Sequence, residues 1–213
     1  MPTSAEFWDR VAEKYARDKI ADLPAYEFTL ERTRSYLRAT DRVVELGAGT
    51  SSTGLLLAPS VATYLATDVS AEMVRIGREK LAEAPIAGMA IEQGSFDLPK
   101  LAGADYDAVL AFNLFHLVPD IRVALEQAAG MLRPGGLLIS KTVCLGSRAW
   151  PVRGVFRAMI ALMSVFGKAP KDVHFPTVAQ MDAMVTEAGF EIVETGNYPA
   201  KTPSRYIVAR KIG

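Results

Sequence analysis

Short runs of apolar and β-branched residues alternate along the chain with longer segments in which apolar residues recur every three or four positions. The short runs are typical of buried strands and the longer segments of amphipathic helices. Two helices precede the first strand, and the order then alternates between strand and helix, which predicts a doubly wound, mostly parallel α/β sheet. The predicted strands are 42–46, 63–67, 89–93, 106–112, 137–142, 191–195 and 206–209, and the predicted helices are 7–19, 26–38, 52–58, 70–84, 120–131 and 177–188.

The last two predicted strands, 191–195 and 206–209, have no helix between them. We therefore expect them to form an antiparallel pair that closes the sheet. Gly189 follows the last predicted helix, at the position where glycine commonly ends a helix in the left-handed conformation.

A length of 213 residues fits one domain with a single hydrophobic core. We expect residues 1–213 to form that domain, with an N-terminal helical cap at 1–40 and a lid insertion at 145–175. The 24 basic and 24 acidic residues balance, which argues against nucleic acid as the main partner. The single cysteine, Cys144, excludes an intrachain disulfide and a cysteine-based metal site and is consistent with a reducing cytoplasm.

The N-terminal sequence gives an expectation about location. Residues 1–9 contain no basic stretch followed by an apolar core, so we expect no secretory leader. No apolar run reaches the roughly 18–20 residues that span a bilayer. We expect a cytoplasmic protein that binds no metal and whose only membrane contact would be peripheral.

A glycine loop follows the first predicted strand, and an acid follows the second. Gly47 and Gly49 come directly after the run 42–46, and Asp68 lies 21 residues beyond Gly47. Glycine lets the backbone turn sharply and approach a ligand closely because it carries no Cβ. The carboxyl ends of parallel strands meet at one edge of a sheet, so the loop and Asp68 should lie together. This arrangement predicts a nucleoside pocket in which Asp68 accepts hydrogen bonds from two ribose hydroxyls.

Other interpretations of the loop stay open. The dinucleotide fingerprint G-x-G-x-x-G requires a third glycine where this chain has Ser52, so a pyrophosphate site is disfavoured. Glu45, two residues before Gly47, would repel a phosphate but favour a cationic ligand. A tight strand-to-helix turn that binds no ligand is the plain structural alternative.

These motifs resemble those of the class I S-adenosylmethionine-dependent methyltransferases, small-molecule type. The resemblance extends over about residues 42–209 and implies a Rossmann-like, seven-stranded sheet with an antiparallel C-terminal strand. The matching segments are ELGAGT at 45–50 (first motif), Asp68 (ribose-binding acid), YDAVLAFN at 106–113 with His116 and Leu117 (fourth motif), LRPGG at 132–136 (turn before the fifth strand) and FWDRVAEKY at 7–15 (a helix that covers the cofactor).

The resemblance also implies how the cofactor, S-adenosylmethionine, would be held. Asp68 would fix the ribose, Asn113 would contact the methionine amine, and Glu45 would favour the cationic groups directly or through water. Backbone N–H groups of the loop 47–51 would face the carboxylate. The implied cofactor-binding residues are Glu45, Gly47, Ala48, Gly49, Thr50, Ser51, Asp68, Val69, Met73, Ser95, Phe96 and Asn113, with Val69 and Met73 as apolar walls for adenine.

The chain departs from the family pattern in two places. Ser51 stands where the family often has the third glycine of its loop, which tightens the space near the methionine part. Gly94-Ser95-Phe96 replaces the usual Gly-Asp-Ala, so the customary acid for the adenine amine is missing. Ser95 or Asp97 would have to accept that hydrogen bond.

Methyl transfer is an in-line displacement, to which an enzyme contributes mainly alignment and exclusion of water. A base is required only if the acceptor must lose a proton. His116, just past the fourth strand, is the best-placed candidate base, although such a histidine often only satisfies a backbone carbonyl. Tyr15, the second candidate catalytic residue, would line the pocket or pack the first helix. His174 more simply supports the start of the last helix, and Cys144 is more often buried filler than a reactive thiol.

The insertion at 145–175 is the segment that could define the substrate. Connections after strand carboxyl ends overhang the ligand crevice in this architecture. One interpretation is a lid helix packed on the core; the other is a basic amphipathic helix at 150–168 that contacts an anionic membrane surface and admits a lipid-like acceptor. No acid occurs between Glu126 and Asp172, while the basic residues are Arg133, Lys141, Arg148, Arg153, Arg157, Lys168 and Lys171, and the apolar residues at helical spacing are Val152, Val155, Phe156, Met159, Ile160, Met163 and Phe166.

The functional hypothesis is a methyltransferase that acts on oxygen or nitrogen of a small or lipid-like acceptor. A catalytically silent S-adenosylmethionine-binding regulator with the same fold is the main alternative. A nicotinamide-dependent oxidoreductase is disfavoured by Ser52, and a pure membrane-surface binder is the fourth possibility.

Overall fold

The computed structural model describes residues 3–96, 98–147, 150–165, 169–170, 172–200 and 203–213. Within 150–165, side chains are described only at 154–155, 158–160 and 162–164. Several residues named in the predictions lie outside the described residues or side chains: Asp97, Arg148, Val152, Arg153, Phe156, Arg157, Phe166, Lys168 and Lys171.

In the described part of the chain, two N-terminal helices precede the first strand, as predicted, and helices separate most of the strands that follow. The strands are β1 (Arg42–Leu46), β2 (Thr63–Asp68), β3 (Met89–Gln93), β4 (Tyr106–Phe112), β5 (Leu132–Val143), β6 (Phe190–Asn197) and β7 (Ser204–Lys211). The α-helices are α1 (Ser4–Arg17), α2 (Leu23–Arg34), α3 (Ser52–Leu57), α4 (Ala71–Glu83), α5 (Ile121–Met131), α6 (Trp150–Val165) and α7 (Val178–Glu187).

The described strands form one sheet in the order β3-β2-β1-β4-β5-β7-β6. The pairs among β1 to β5 are parallel, whereas β7 is antiparallel to both β5 and β6. The predicted fold class, a Rossmann-like mostly parallel sheet with an antiparallel C-terminal strand, is confirmed. Because β1 pairs with β2 on one side and with β4 on the other, the strand order reverses at β1 and leaves a crevice at its carboxyl end.

The core consists of two layers, one on each face of the sheet. Val44 and Leu46 of β1 pack into the layer that α5 and α7 cover, together with the fully buried Leu125. Val43 packs into the opposite layer, which contains the buried Tyr64 and is flanked by α2 and α3. Alternation along β1 therefore divides its side chains between the two layers.

The observed ends of helices and strands differ from the predicted ones where a local backbone interaction overrides the apolar pattern. Helix α1 begins at Ser4 instead of Phe7 because Thr3 and Glu6 form a capping box before it. Strand β5 begins at Leu132, five residues earlier than predicted, and its register against β4 shifts in the segment that contains Gly135 (φ 74°). The predicted turn at 133–136 is thus an irregularity within a longer strand.

Leu125→Ala tests the α5 core layer. Leu125 is fully buried, so the truncation should lower the free energy of unfolding by about 2–5 kcal/mol. Val123→Ala on the same helix is the matched control, because Val123 is 48% exposed and should change stability by no more than about 0.5 kcal/mol. Urea denaturation followed by circular dichroism measures both, and equal losses would contradict the described packing.

Candidate active site

A cavity of about 500 Å³ opens at the edge of the sheet where β1, β2 and β4 end. Helix α1 contributes one wall and the segment after β4 contributes another. It occupies the crevice at which doubly wound sheets bind ligands. Most of the predicted site residues line it: Tyr15, Gly47, Gly49, Asp68, Val69, Met73, Ser95, Phe96, Asn113 and His116.

The loop after β1 has the backbone conformation that its glycines permit. Gly47 and Gly49 have φ angles of 63° and 55°, which glycine adopts readily because it has no Cβ and which other residues adopt only rarely. A Cβ at Gly47 would lie 2.6 Å from Leu114 Cδ1, in the segment after β4. At both glycines the loop therefore presents only backbone atoms to the cavity.

Asp68 ends β2, and backbone groups hold its carboxylate, which is 9% exposed. The Gly49 N–H donates to Oδ2 (2.8 Å) and the Ser70 N–H donates to Oδ1 (2.9 Å). Burial raises the pKa of the Asp68 carboxyl, and these hydrogen bonds oppose the rise. Each carboxylate oxygen can accept more than one hydrogen bond, so Asp68 keeps capacity for ligand hydroxyls in the cavity.

Asp9 attaches α1 to the start of α4. Its Oδ1 accepts hydrogen bonds from the Ser70 hydroxyl (2.6 Å) and from the Glu72 N–H (3.1 Å), where a helix N-terminus favours an anion. Ser70 also caps α4 by accepting from the Met73 N–H (3.1 Å). These contacts hold α1 beside the cavity. The similarity of residues 7–15 to a covering helix indicated this helix, but not the role of Asp9 within it.

Tyr15 lies on α1 and faces the glycine loop. A Cβ built at Gly49 would be 3.7 Å from its ring, and Trp8 packs edge-to-face against it (6.1 Å between centroids). The side chain is 52% exposed, yet desolvation, together with the carboxyl groups of Asp68 and Glu45, raises the pKa of its hydroxyl. Tyr15 therefore offers a protonated hydroxyl and a ring face, and not a phenolate base.

The predicted adenine-binding residues line the cavity beside Asp68. Val69 and Met73 supply apolar surface, and Ser95 and Phe96 follow β3. The Gly94 N–H donates to the Asp68 carbonyl (2.9 Å), which holds the segment after β3 against the end of β2. Apolar walls with one serine hydroxyl suit a flat heteroaromatic ring.

His116 lies in the short helical turn after β4 and lines the cavity. Its Nδ1 is buried and has no hydrogen-bond partner among the described residues, and the same holds for Nε2 of His174. The His174 N–H donates to the His116 carbonyl (2.8 Å). Burial, with a smaller effect from His174, lowers the pKa of His116 to about 4. The imidazole is therefore neutral at physiological pH.

Asn113 follows β4 in a left-handed conformation, with φ of 55°. Its N–H donates to the Lys141 carbonyl (2.7 Å), which joins the ends of β4 and β5. A non-glycine residue with this backbone is uncommon and is often found at functional sites. Asn113 lines the cavity, at the place where the family resemblance implied a contact to the methionine amine.

Four predicted cofactor-binding residues do not line the cavity: Glu45, Ala48, Thr50 and Ser51. The Tyr64 hydroxyl donates to Glu45 Oε2 (2.9 Å) inside the core, and burial raises the pKa of Glu45 to about 8. Glu45 is therefore a buried, protonated group at neutral pH and not a charged partner for a cation. Thr50 accepts a hydrogen bond from Lys80 (2.9 Å), and Ser51 is fully buried at the start of α3.

Cys144, just past β5, is fully buried and donates to the Thr142 carbonyl (Sγ to O, 3.4 Å). Burial raises the pKa of its thiol to about 11. Cys144 is therefore a neutral packing residue with no features of a nucleophile.

Helix α6 occupies the predicted insertion, and its described side chains include an exposed apolar row. Val155, Met159 and Leu162 are 69%, 46% and 61% exposed. Among the described residues, no helix is both long and apolar enough to cross a membrane. In the same part of the chain, no group of three or more His, Cys, Asp or Glu side chains could hold a metal ion.

Other residues of the cavity lining were not predicted from the sequence. Trp8 lies within the segment 7–15 that resembles a covering helix, and Pro119 follows the fourth motif, so both lay within reach of the resemblance. Asp172 belongs to the segment between α6 and α7, where no periodic pattern indicates which residues face the cavity. The unpredicted lining residues are Ser4, Trp8, Leu46, Thr67, Gly94, Phe112, Leu114, Leu117, Val118, Pro119 and Asp172.

Comparison with known proteins agrees with this fold and cavity. Residues 44–138 match a family model described as a methyltransferase domain. Over 141 residues, the chain is 34% identical to a demethylmenaquinone methyltransferase from Mycobacterium marinum, a match that covers 63% of this chain and 57% of that protein. For several other curated relatives the chain spans half of their length or less, from 3% to 49%.

Solved structures share the fold. The 4+2 cyclase SpnF matches with a TM-score of 0.76 and 18% identity, covering 100% of this chain and 97% of that chain. An S-adenosylmethionine-dependent methyltransferase from Mesorhizobium loti matches with a TM-score of 0.69 and 21% identity, covering 88% and 98%. The family match covers less than half of the chain, and together with the strand order and the cavity it makes the chain similar to the class I S-adenosylmethionine-dependent methyltransferases, a family whose cofactor is S-adenosylmethionine.

Glu45→Gln tests the buried carboxyl through the pH dependence of stability. The pKa of Glu45 is raised from 4.5 to about 8 in the folded protein. Between these values the unfolded chain releases a proton that the folded chain keeps, so the free energy of unfolding should fall as pH rises through this window. Denaturant titrations from pH 5 to 8 should show this fall in the wild type and a flatter dependence in Glu45→Gln, which keeps an acceptor for Tyr64. Identical slopes would refute the assignment.

Proposed function

We propose that this protein transfers the methyl group of S-adenosylmethionine to an oxygen or nitrogen atom of a small or lipid-like acceptor. The observation that carries the proposal is one cavity in which Asp68, the glycine loop and His116 face a common space of about 500 Å³. A cavity of this size is typical of small-molecule sites.

The residues present fit the cofactor. At Gly47 and Gly49 the absence of a Cβ leaves room for the cofactor beside the loop. Asp68 can still accept hydrogen bonds from a pair of ribose hydroxyls. Val69 and Met73 supply apolar walls for adenine, and Ser95 supplies a hydroxyl in place of the family's usual acid. When bound, S-adenosylmethionine supplies an electrophilic methyl group on a sulfonium.

The acceptor would occupy the end of the cavity formed by the segment after β4. Leu117 and Val118 make much of that wall apolar, and His116 adds one neutral imidazole. The name of the Mycobacterium marinum relative specifies demethylmenaquinone as its substrate, and for this chain we propose only the broader class of an apolar acceptor with one reactive heteroatom.

The chain's own residues contribute positioning and proton handling. Tyr15 and Trp8 on α1 line the cavity and would shield a bound donor and acceptor from water on that side. His116 would accept a hydrogen bond from the acceptor heteroatom, and would take the proton that this atom loses on methylation. A pKa near 4 makes His116 a weak base, so it suits acceptors whose own proton is acidic.

A catalytically silent, cofactor-binding regulator is the second candidate, because a buried Asp68 in an apolar cavity provides for ligand binding but does not by itself require turnover. A screen of metabolite and lipid extracts with methyl-labelled S-adenosylmethionine separates the two. Labelled product supports the enzyme, whereas cofactor binding without product in any extract supports the regulator.

Asp68→Ala should weaken the binding of S-adenosylhomocysteine, the product form of the cofactor. The loss of hydrogen bonds to a charged group predicts about 1.5–3 kcal/mol. Isothermal titration calorimetry measures the effect, with Glu126→Ala on the exposed face of α5 as the control acid. Wild-type affinity in Asp68→Ala would remove the ribose role from Asp68.

His116→Ala should lower kcat by about a hundredfold while leaving the affinity for S-adenosylhomocysteine unchanged, as expected for loss of a base. The pH profile gives a second readout. His116 must be neutral to accept a proton, so with a pKa of about 4 the wild type should lose kcat/KM only as pH falls towards 4, and not at the usual histidine pKa near 6.5. Wild-type turnover in His116→Ala would exclude it from the mechanism.

A further inference from the structure

A second cavity, of about 50 Å³, lies beside the main one and shares Phe112 and Asn113 with it. A water molecule takes up about 30 Å³ in the liquid, so this side cavity has room for a group of two or three heavy atoms. The rest of its lining comes from α2, α3 and β5: Tyr26, Thr29, Leu30, Thr53 and Lys141.

Lys141 is a partly buried cation in this side cavity. Within the described residues its ammonium has no hydrogen-bond or ion-pair partner, unlike Lys80, which donates to Thr50, and Lys100, which pairs with Glu92. Burial lowers the pKa of Lys141, and only the nearby carboxylate of Asp22 acts against this. Removing a charge from water without a partner is costly, so the arrangement favours an anionic ligand.

The neutral groups of the side cavity also suit an anion. The Tyr26 hydroxyl and Thr53 Oγ1 lie 3.4 Å apart, in a contact to which either can donate. Each hydroxyl can turn its hydrogen towards a ligand oxygen. Thr29 is already committed, because its hydroxyl donates to the Ala25 and Tyr26 carbonyls (3.0 Å each). No acidic residue belongs to the lining of the side cavity in the described part of the chain.

The glycine loop, by contrast, has few free donors for a carboxylate. The Ala48 N–H donates to the Thr67 carbonyl (2.9 Å), the Gly49 N–H to Asp68 Oδ2 (2.8 Å), and the Ser51 N–H to the Ala48 carbonyl (2.9 Å). A cofactor carboxylate that contacted the N–H groups of Ala48, Gly49 or Ser51 would have to break these hydrogen bonds. A carboxylate bound near the loop therefore needs another donor.

We propose that Lys141, together with the hydroxyls of Tyr26 and Thr53, forms a subsite for the amino-acid carboxylate of S-adenosylmethionine. Asn113, which lines both cavities, connects this subsite to the main cavity. The proposal rests on the proposed function, since it takes S-adenosylmethionine as the ligand. An acidic acceptor could bring the same carboxylate chemistry, and the choice of probes separates these two sources.

Lys141→Met tests the subsite with two ligands that differ in one group. S-adenosylhomocysteine carries the amino-acid carboxylate, and 5′-methylthioadenosine lacks it. Calorimetry should show S-adenosylhomocysteine binding weakened by roughly ten- to a hundredfold in Lys141→Met, the scale of a hydrogen bond to a charged group, with 5′-methylthioadenosine unchanged. Lys141→Arg should recover part of the loss, Tyr26→Phe should show a several-fold loss, and Lys100→Met on the exposed surface should behave as wild type.

The outcomes separate the subsite from the proposed function. A wild-type protein that fails to bind S-adenosylhomocysteine defeats the proposed function itself. If the wild type binds but Lys141→Met has the same affinity, or weakens both ligands equally, the carboxylate subsite is wrong while the function stands. Unchanged affinity for S-adenosylhomocysteine in Lys141→Met would point to an acidic acceptor, and not the cofactor, as the source of the carboxylate that binds Lys141.

Discussion

The carboxylate of Asp68 is the interaction on which the geometry of the site depends. It accepts one backbone hydrogen bond from the loop after β1 and another from the residue that caps α4. Ser70, the same cap, donates to Asp9 of α1. One buried acid thus connects the glycine loop, the end of β2 and the covering helix. Each of these elements contributes a wall of the cavity, so their relative positions are set before any ligand arrives.

The charges around the cavity are consistent with a ligand that carries both signs. Asp68 and Asp172 line the main cavity, while Lys141 lies in the side cavity that adjoins it at Asn113. The remaining titratable groups are neutral at physiological pH, since burial lowers the pKa of His116 and raises that of Glu45. The fixed charges that line the two cavities are therefore those of Asp68, Asp172 and Lys141, while His116 and Glu45 contribute none.

The sheet could be predicted because its signal is local: apolar runs of strand length separated by helical segments. The glycine loop and Asp68 could be placed together because parallel strands end at one edge. Two features that differ from the prediction, the start of α1 and the surroundings of Glu45, also had a signal in the local sequence. Thr3 and Glu6 form a capping-box pattern that marks the true start of α1, and alternation along β1 puts Glu45 on the face of Val43, towards the core layer under α2 and α3.

The rest of the site had no such signal. Lys141 and Tyr26 line the same side cavity because β5 pairs with β4 while α2 packs near the start of α3, and no short pattern encodes that proximity. The neutral state of His116 depends on burial and on His174, which the chain brings to it through a single backbone hydrogen bond. Long-range packing, and not composition, determines these features.

A crystal structure of the protein with S-adenosylhomocysteine bound tests the central claim most directly. The account predicts that the ligand occupies the main cavity with both ribose hydroxyls at hydrogen-bond distance from Asp68, about 2.5–3.0 Å between oxygens, and with the Gly49 and Ser70 hydrogen bonds intact. A ligand found elsewhere on the sheet, or a ribose that does not contact Asp68, would contradict it.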